Sequence, residues 1–137
     1  ITGEDSSDFG SEKMLFEDFG YHAYDQSIFV HEDTIKNNPE LVRKFLKASL
    51  RGWDYSVSRP EEAIDVFVKH HPELKKADVL REFLQRNTLT ENDITKKYGF
   101  GYQTKERWDE MQDMLFDLEI IDKEIDVTSL YTNEFLG

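Results

Sequence analysis

Two tyrosines, a histidine and an aspartate stand close together near the start of the chain, where they could bind a flat ligand. They are Tyr21, His22, Tyr24 and Asp25, and Gln26 follows them. Aromatic side chains offer surfaces on which a heteroaromatic ring can stack, and neighbouring polar groups can fix its orientation with hydrogen bonds. We therefore interpret the first four as candidate ligand-binding residues. In the alternative interpretation, the tyrosines only pack the next segment of the chain into a sheet.

Other groups of metal-binding side chains have simpler explanations. His31 and Glu32 lack the second histidine that a zinc protease needs, and the pair is typical of a solvated helix start. His70 and His71 would point to different sides of a helix, so we interpret them as helix-end residues near the last carbonyl groups. A row of acidic residues indicates the solvated face of a helix: Asp109, Glu110, Asp113 and Asp117. The sequence therefore predicts no metal site.

The sequence contains no recognisable catalytic motif. It has no nucleophile elbow, P-loop or dinucleotide-binding pattern, and the stretch Gly99, Phe100, Gly101 is too short to count as one. The lack of cysteine excludes a disulfide scaffold, a zinc finger, an iron–sulfur site and thiol catalysis. We therefore predict that the protein is not an enzyme and has no cofactor.

Charge and composition limit the possible partners. The 137 residues include 17 basic and 29 acidic ones, which gives a net charge of −12. Nucleic acid and anionic membrane surfaces repel such a chain, so we predict neither as a partner. Hydrophobic residues make up 38% of the chain, which argues against disorder. No apolar run approaches the roughly 18 residues of a membrane helix.

The first part of the chain is predicted to contain a polar lead-in and one strand. Residues 1–18 are interpreted as a flexible lead-in. Residues 26–30 are the best strand candidate, because a short apolar run is followed there by polar residues. A lone strand needs partners for its backbone groups, and the rest of the chain offers few of them.

Helices are predicted from residue 33 onward. Asn38 and Pro39 form a start signal, a capping residue followed by proline at the first helical position. Apolar residues then repeat at helical spacing as far as Tyr55. A second helix begins at Pro60 and ends before Pro72. Further helices are predicted over residues 76–85, after Thr104 and briefly after Asp126, with a loop over residues 98–102.

The helical pair that starts at Asn38 resembles a known family. Residues 38–55, with Arg51, Gly52 and Trp53 near their end, are similar to the helix–turn–helix of periplasmic substrate-binding proteins of the thiamine-precursor, nitrate, sulfonate and taurine type. Within this group the chain most resembles the branch of the thiamine-pyrimidine synthases, which also contains importers' binding proteins for pyrimidine precursors and riboflavin. Three more stretches agree in the same order: residues 19–30, Arg107 with Trp108, and residues 131–136.

The resemblance implies an α/β fold in which residues 19–137 form the C-terminal part of a two-lobed, type II periplasmic-binding-protein domain. This part would be predominantly helical with one or two short strands, beginning with a crossover strand. Family members are more than twice as long, so the N-terminal lobe would be a missing partner. The candidate residues Tyr21, His22, Tyr24 and Asp25 would then lie beside the cleft between the lobes.

The implied function is non-catalytic binding of a small solute for uptake through an ABC permease. The solute would be a thiamine pyrimidine precursor, a riboflavin-like compound or a sulfonate. The protein would be extracellular or periplasmic, with any leader or lipid anchor upstream of Ile1, and an exposed strand could pair with a second copy. Two alternatives remain: an autonomous helical interaction module, and part of a synthase, although the family's synthases use a cysteine-rich motif in a half that this chain lacks.

Overall fold

The computed structural model describes residues 14–136, and helices dominate this part of the chain. A 3₁₀ helix, Phe16–Phe19, comes first, and another, Val127–Ser129, comes last. Between them lie α1 (Glu32–Asn37), α2 (Pro39–Ser58), α3 (Pro60–His70), α4 (Lys76–Thr90), α5 (Asp93–Tyr98) and α6 (Lys105–Asp117). The predominantly helical character expected from the sequence is confirmed. Most of the predicted lead-in, residues 1–18, lies outside the described residues.

The prediction of a strand over residues 26–30 is wrong. No strand occurs anywhere in residues 14–136, so the one or two strands of the expected fold are not formed there. The physical reason is that a strand exists only where a second strand accepts and donates its backbone hydrogen bonds. Ile28, Phe29 and Val30 remain exposed, and Phe29 keeps 95% of its surface in contact with solvent.

Side-chain caps begin the helices where the sequence predicts them. Asn38 caps α2, since its Oδ1 accepts a hydrogen bond from the Leu41 backbone N–H at 3.3 Å. Thr104 caps α6 in the same way. His31 caps α1 through Nδ1, which confirms the interpretation of this histidine as part of a helix start.

The stretch after Gln85 is more helical than the sequence indicated. Helix α4 continues to Thr90, and the short helix α5 follows. A capping box starts α5: Asn92 Oδ1 accepts from the backbone N–H groups of Ile94 and Thr95, and Thr95 Oγ1 accepts from the Asn92 N–H at 3.0 Å. This reciprocal pairing satisfies donors that a helix start leaves unpaired, so it stabilises a helix of only six residues.

Consecutive helices pack on one another, but they bury little apolar surface. Helices α1 to α4 contact each other in sequence order, and α6 contacts the last 3₁₀ helix. Trp53 of α2 is half-buried and stacks on Phe100 with ring centroids 4.3 Å apart. Among the described residues only three apolar side chains are buried, namely Ile64, Val127 and Phe135, and of these only Val127 is fully buried.

The accessible surface of the chain agrees with this small core. It is 11226 Å², whereas a compact monomer of 16.2 kDa has about 7,500 Å². Large apolar side chains on α2 and α3 stay partly in solvent, among them Leu41, Phe45, Val66 and Phe67. None of the helices within residues 14–136 is long and apolar enough to cross a membrane.

We expect the capping box of α5 to be a measurable source of stability. Replacing Asn92 with alanine removes the acceptor for two backbone N–H groups and should lower the free energy of unfolding by about 1 kcal/mol. Urea denaturation of the complete gene product that contains this chain measures the change. Asn37→Ala, at the exposed end of α1, is the control and should change this free energy by less than about 0.5 kcal/mol; equal losses in the two variants would contradict the prediction.

Candidate functional site

Tyr24 connects the segment before α1 to helix α6. Its phenol oxygen accepts a hydrogen bond from the Thr104 backbone N–H at 2.8 Å, and its own N–H donates to Met111 Sδ at 3.4 Å. The Tyr24 ring lies beside the Trp108 indole, with centroids 5.7 Å apart. The Arg107 guanidinium lies 5.5 Å from the centre of the same ring. Tyr24 therefore packs against a helix rather than into a sheet.

The other predicted ligand-binding residues lie next to Tyr24 in the chain but have different surroundings. The ring of Tyr21 meets Phe16 edge to face, with centroids 5.6 Å apart, and remains 39% exposed. His22 is half-buried and Asp25 is exposed. A ligand-binding role for Tyr21, His22, Tyr24 and Asp25 stays a prediction.

Two hydrogen bonds tie the C-terminal tail to the loop before α6. The Gln103 backbone N–H donates to Asn133 Oδ1 at 3.0 Å, and Asn133 Nδ2 donates back to the Gln103 carbonyl at 2.8 Å. The Trp108 indole Nε1–H donates to Gln103 Oε1 at 2.9 Å. Trp108 also lies parallel to Tyr131 of the tail, with ring centroids 6.1 Å apart. The tail, the loop and the first turns of α6 thus form one connected unit.

A partly open cavity of about 380 Å³ lies between this unit and α5. Its size falls within the range of small-molecule sites, which starts at about 300 Å³. Tyr98 and Tyr102 stack on each other at its edge, with centroids 4.4 Å apart and planes 17° from parallel. Aromatic and polar side chains from three segments line it together, among them Tyr98, Tyr102, Gln103, Glu106, Tyr131 and Asn133.

A second cavity, of about 310 Å³, lies on another side of α6 and has a mainly apolar wall. Met111, Leu115 and Leu130 contribute to it, and so does Gln112. Gln112 Oε1 accepts a hydrogen bond from the Ile125 backbone N–H at 2.8 Å. The wall of this cavity offers fewer polar groups that could orient a ligand than the tyrosine-lined one does.

Both neutral and charged groups line the first cavity. Burial, and then the proximity of Tyr24 and Glu106, raises the pKa of the Tyr131 phenol above its ordinary value, so this group keeps its proton at neutral pH. Lys105 Nζ is held by Asp109 Oδ2 at 2.6 Å, and this contact raises the pKa of the lysine. The cavity wall therefore combines neutral tyrosine, glutamine and asparagine side chains, which can stack on a flat ring and bond to its polar edge, with the charged Lys105 and Glu106.

Most of the cavity wall is not indicated by the residue types. Residues 98–102 are predicted from the sequence only as a loop, and residues 131–136 carry only the family resemblance. Tyr98, Tyr102 and Tyr131 are a usable signal in principle, since tyrosines in loops often mark binding surfaces. Nothing in the residue types, however, indicates that Gln103 and Asn133 meet.

Potential metal ligands do not cluster in the described part of the chain. Within residues 14–136, no group of three or more histidine and carboxylate side chains is placed to hold a metal ion. His70 is the last residue of α3 and His71 follows it as the C-terminal cap, which confirms their interpretation as helix-end residues. The His71 ring also stacks on Phe67 at 4.5 Å between centroids.

Comparison with known proteins identifies the family. The family profile described as NMT1/THI5 like matches residues 11–63, which include α1, α2 and the segment with the four predicted site residues. Over these residues the chain is similar to the NMT1/THI5-like family. This confirms the resemblance to substrate-binding proteins that residues 38–55 indicated.

Three relatives have descriptive names. The chain is 36% identical, over 80% of its length, to riboflavin-binding protein RibY of Chloroflexus aurantiacus. It is 30% identical, over 79% of its length, to 4-amino-5-hydroxymethyl-2-methylpyrimidine phosphate synthase of Legionella pneumophila. It is 26% identical, over 69% of its length, to formylaminopyrimidine-binding protein of Halalkalibacterium halodurans. The chain spans about a third of the length of these curated relatives (32%, 32% and 29%).

We expect the Tyr24 hydroxyl to stabilise the junction with α6. Tyr24→Phe removes the acceptor of the Thr104 N–H and should lower the free energy of unfolding by about 1 kcal/mol, while hydrogen exchange at the Thr104 amide becomes faster. Urea denaturation and amide exchange of the complete gene product measure both effects. Tyr21→Phe is the matched control, because it deletes the same hydroxyl from a partly exposed ring; an equal effect there would show that the Tyr24 bond is unimportant.

Proposed function

We propose that the complete gene product that contains this chain binds a small, flat heteroaromatic solute without chemically changing it. Two relatives, named as binding proteins for riboflavin and for a formylaminopyrimidine, carry this proposal. The cavity between α5, α6 and the C-terminal tail supports it, because tyrosine rings and hydrogen-bonding side chains occur there together. The predicted residues Tyr21, His22, Tyr24 and Asp25 would contribute next to it.

The chemistry of the two solutes agrees with the tyrosine rings and hydrogen-bonding side chains that line the cavity. A flavin and an aminopyrimidine both contain a planar nitrogen heterocycle, which can stack on tyrosine and carries hydrogen-bonding groups along its edge. An alkyl sulfonate, the third class that the sequence suggested, has no flat ring and a full negative charge. In a chain with a net charge of −12, the neutral aromatic solutes are therefore the better candidates.

The role that we propose for this binding is uptake. A solute held between two lobes stabilises their closed arrangement through contacts with both, and an ABC permease would recognise that arrangement. Such a protein works outside the cytoplasmic membrane, in the periplasm or at the cell surface, where a lipid anchor could hold it. The lobe that completes the cleft would be formed by residues beyond this chain.

A synthase is the second candidate function. The relative of 30% identity named as a pyrimidine phosphate synthase favours it. We prefer binding without catalysis because two of the three relatives reported above are named as binding proteins, the 36% identical one among them.

Solute binding predicts a ligand-dependent rise in thermal stability. Riboflavin or formylaminopyrimidine at 100 times its dissociation constant should stabilise the complete gene product by about 2.7 kcal/mol, while taurine at the same concentration leaves its melting temperature unchanged. Thermal unfolding and isothermal titration calorimetry measure the effect, and chromatography of the recovered solute tests for chemical change. Recovery of a converted product would favour the synthase, and the absence of any shift would favour an interaction module.

A pair of tyrosine variants tests whether the tyrosine-lined cavity takes part. Tyr131→Leu removes a ring from its wall and should weaken solute binding by about tenfold. Tyr55→Leu removes a ring from α2, where the tyrosine hydroxyl donates to Glu62 Oε2 away from the cavity, and should leave the dissociation constant unchanged. If both variants bind like the wild type, the solute is held elsewhere in the protein.

A further inference from the structure

The orientation of the Gln103 side-chain amide is fixed by its neighbours. An indole N–H can only donate, so the atom that faces Trp108 Nε1 at 2.9 Å must be the carbonyl oxygen, Oε1. The backbone N–H and carbonyl of Gln103 are both bonded to the Asn133 side chain. Three hydrogen bonds thus hold this residue, and none of them involves its Nε2 group.

The Nε2 group of Gln103 is therefore an uncommitted donor. It has two N–H bonds, and it donates to no other residue within the described part of the chain. Gln103 lines the tyrosine-lined cavity and is half-buried. Since Nε2 is not among the side-chain atoms that are fully buried without a partner, water can reach it in the free protein, and a ligand acceptor on the edge of a ring can replace that water.

We propose that Gln103 determines which solutes this cavity accepts, by donating a hydrogen bond from Nε2 to an acceptor on the edge of a stacked ring. The ligand class is a planar nitrogen heterocycle whose edge carries a carbonyl oxygen or an unprotonated ring nitrogen. Trp108 and Asn133 are positioning residues, since they hold Gln103 through its Oε1 and through its backbone N–H and carbonyl. The proposal rests on the proposed solute-binding function and assigns its hydrogen-bond selectivity to one side chain.

Glutamate at position 103 provides a sharp test. Gln103→Glu keeps an oxygen that can accept from Trp108 Nε1 and has nearly the same shape, but it replaces both Nε2 donor hydrogens with an acceptor oxygen. We use riboflavin as the probe, because its ring offers carbonyl oxygens and unprotonated nitrogens and its fluorescence reports stacking. The dissociation constant of riboflavin for the complete gene product should rise about tenfold or more, with the melting temperature of the free protein nearly unchanged.

The control is the same substitution at Gln112, whose Oε1 accepts from the Ile125 N–H beside the second cavity. Gln112→Glu adds the same charge and keeps the same accepting oxygen, so riboflavin should bind as it does to the wild type. An equal loss in the two variants would overturn the proposal, because general repulsion or binding at the second cavity would then explain it. Wild-type affinity in Gln103→Glu would also overturn it.

A second variant covers the case in which Gln103→Glu fails to fold. Gln103→Leu has neither the donor nor the charge, so it should also raise the riboflavin dissociation constant, and unchanged binding there counts against the proposal. The wild-type protein separates the two levels of inference. If it binds neither riboflavin nor formylaminopyrimidine, the proposed function fails and the role of Gln103 fails with it; if it binds them and both position-103 variants bind equally well, only the role of Gln103 is overturned.

Discussion

The pair of hydrogen bonds between Gln103 and Asn133 is the constraint on which the tyrosine-lined cavity depends. The two residues are 30 positions apart, and their pairing brings the C-terminal tail against the loop before α6. The Asn133 side-chain amide satisfies both the backbone N–H and the backbone carbonyl of Gln103. In an irregular loop these two groups would otherwise form hydrogen bonds with water. Together with the stacking of Tyr131 on Trp108, the link brings Tyr131 to the same cavity as Tyr98 and Tyr102.

The helix starts could be predicted because the groups that determine them act over three or four residues. Asn38 and Thr104 each accept from a backbone N–H only three positions ahead, so the sequence contains the whole signal. Residues 26–30 could not be judged in this way, because a strand forms only if a partner strand lies beside it, and local sequence does not show whether one does. The apolar composition of these residues does not provide a partner strand, and Phe29 remains in solvent.

The candidate site was less predictable than the helices for the same reason. Tyr24 is a candidate ligand-binding residue because of its side-chain chemistry. Its hydrogen bonds to Thr104 and Met111 span 80 and 87 positions, however, and residue spacing within one helix or strand cannot predict contacts over such distances. Gln103 and Asn133 have ordinary side chains whose importance appears only when they are paired. Residue types therefore led only to a hypothesis about the class of ligand, whereas the connectivity of the folded chain defined the cavity.

The bond between Thr104 and Tyr24 has a thermodynamic consequence for any ligand in the cavity. It joins the segment before α1 to the first turn of α6, and that turn contributes Thr104 and Glu106 to the cavity wall. If a bound molecule orders this wall through Thr104, residues 20–25 become ordered with it, and by reciprocity an influence that orders these residues then strengthens binding by the same factor. Occupancy of the cavity and the conformation of residues 20–25 would then be thermodynamically coupled.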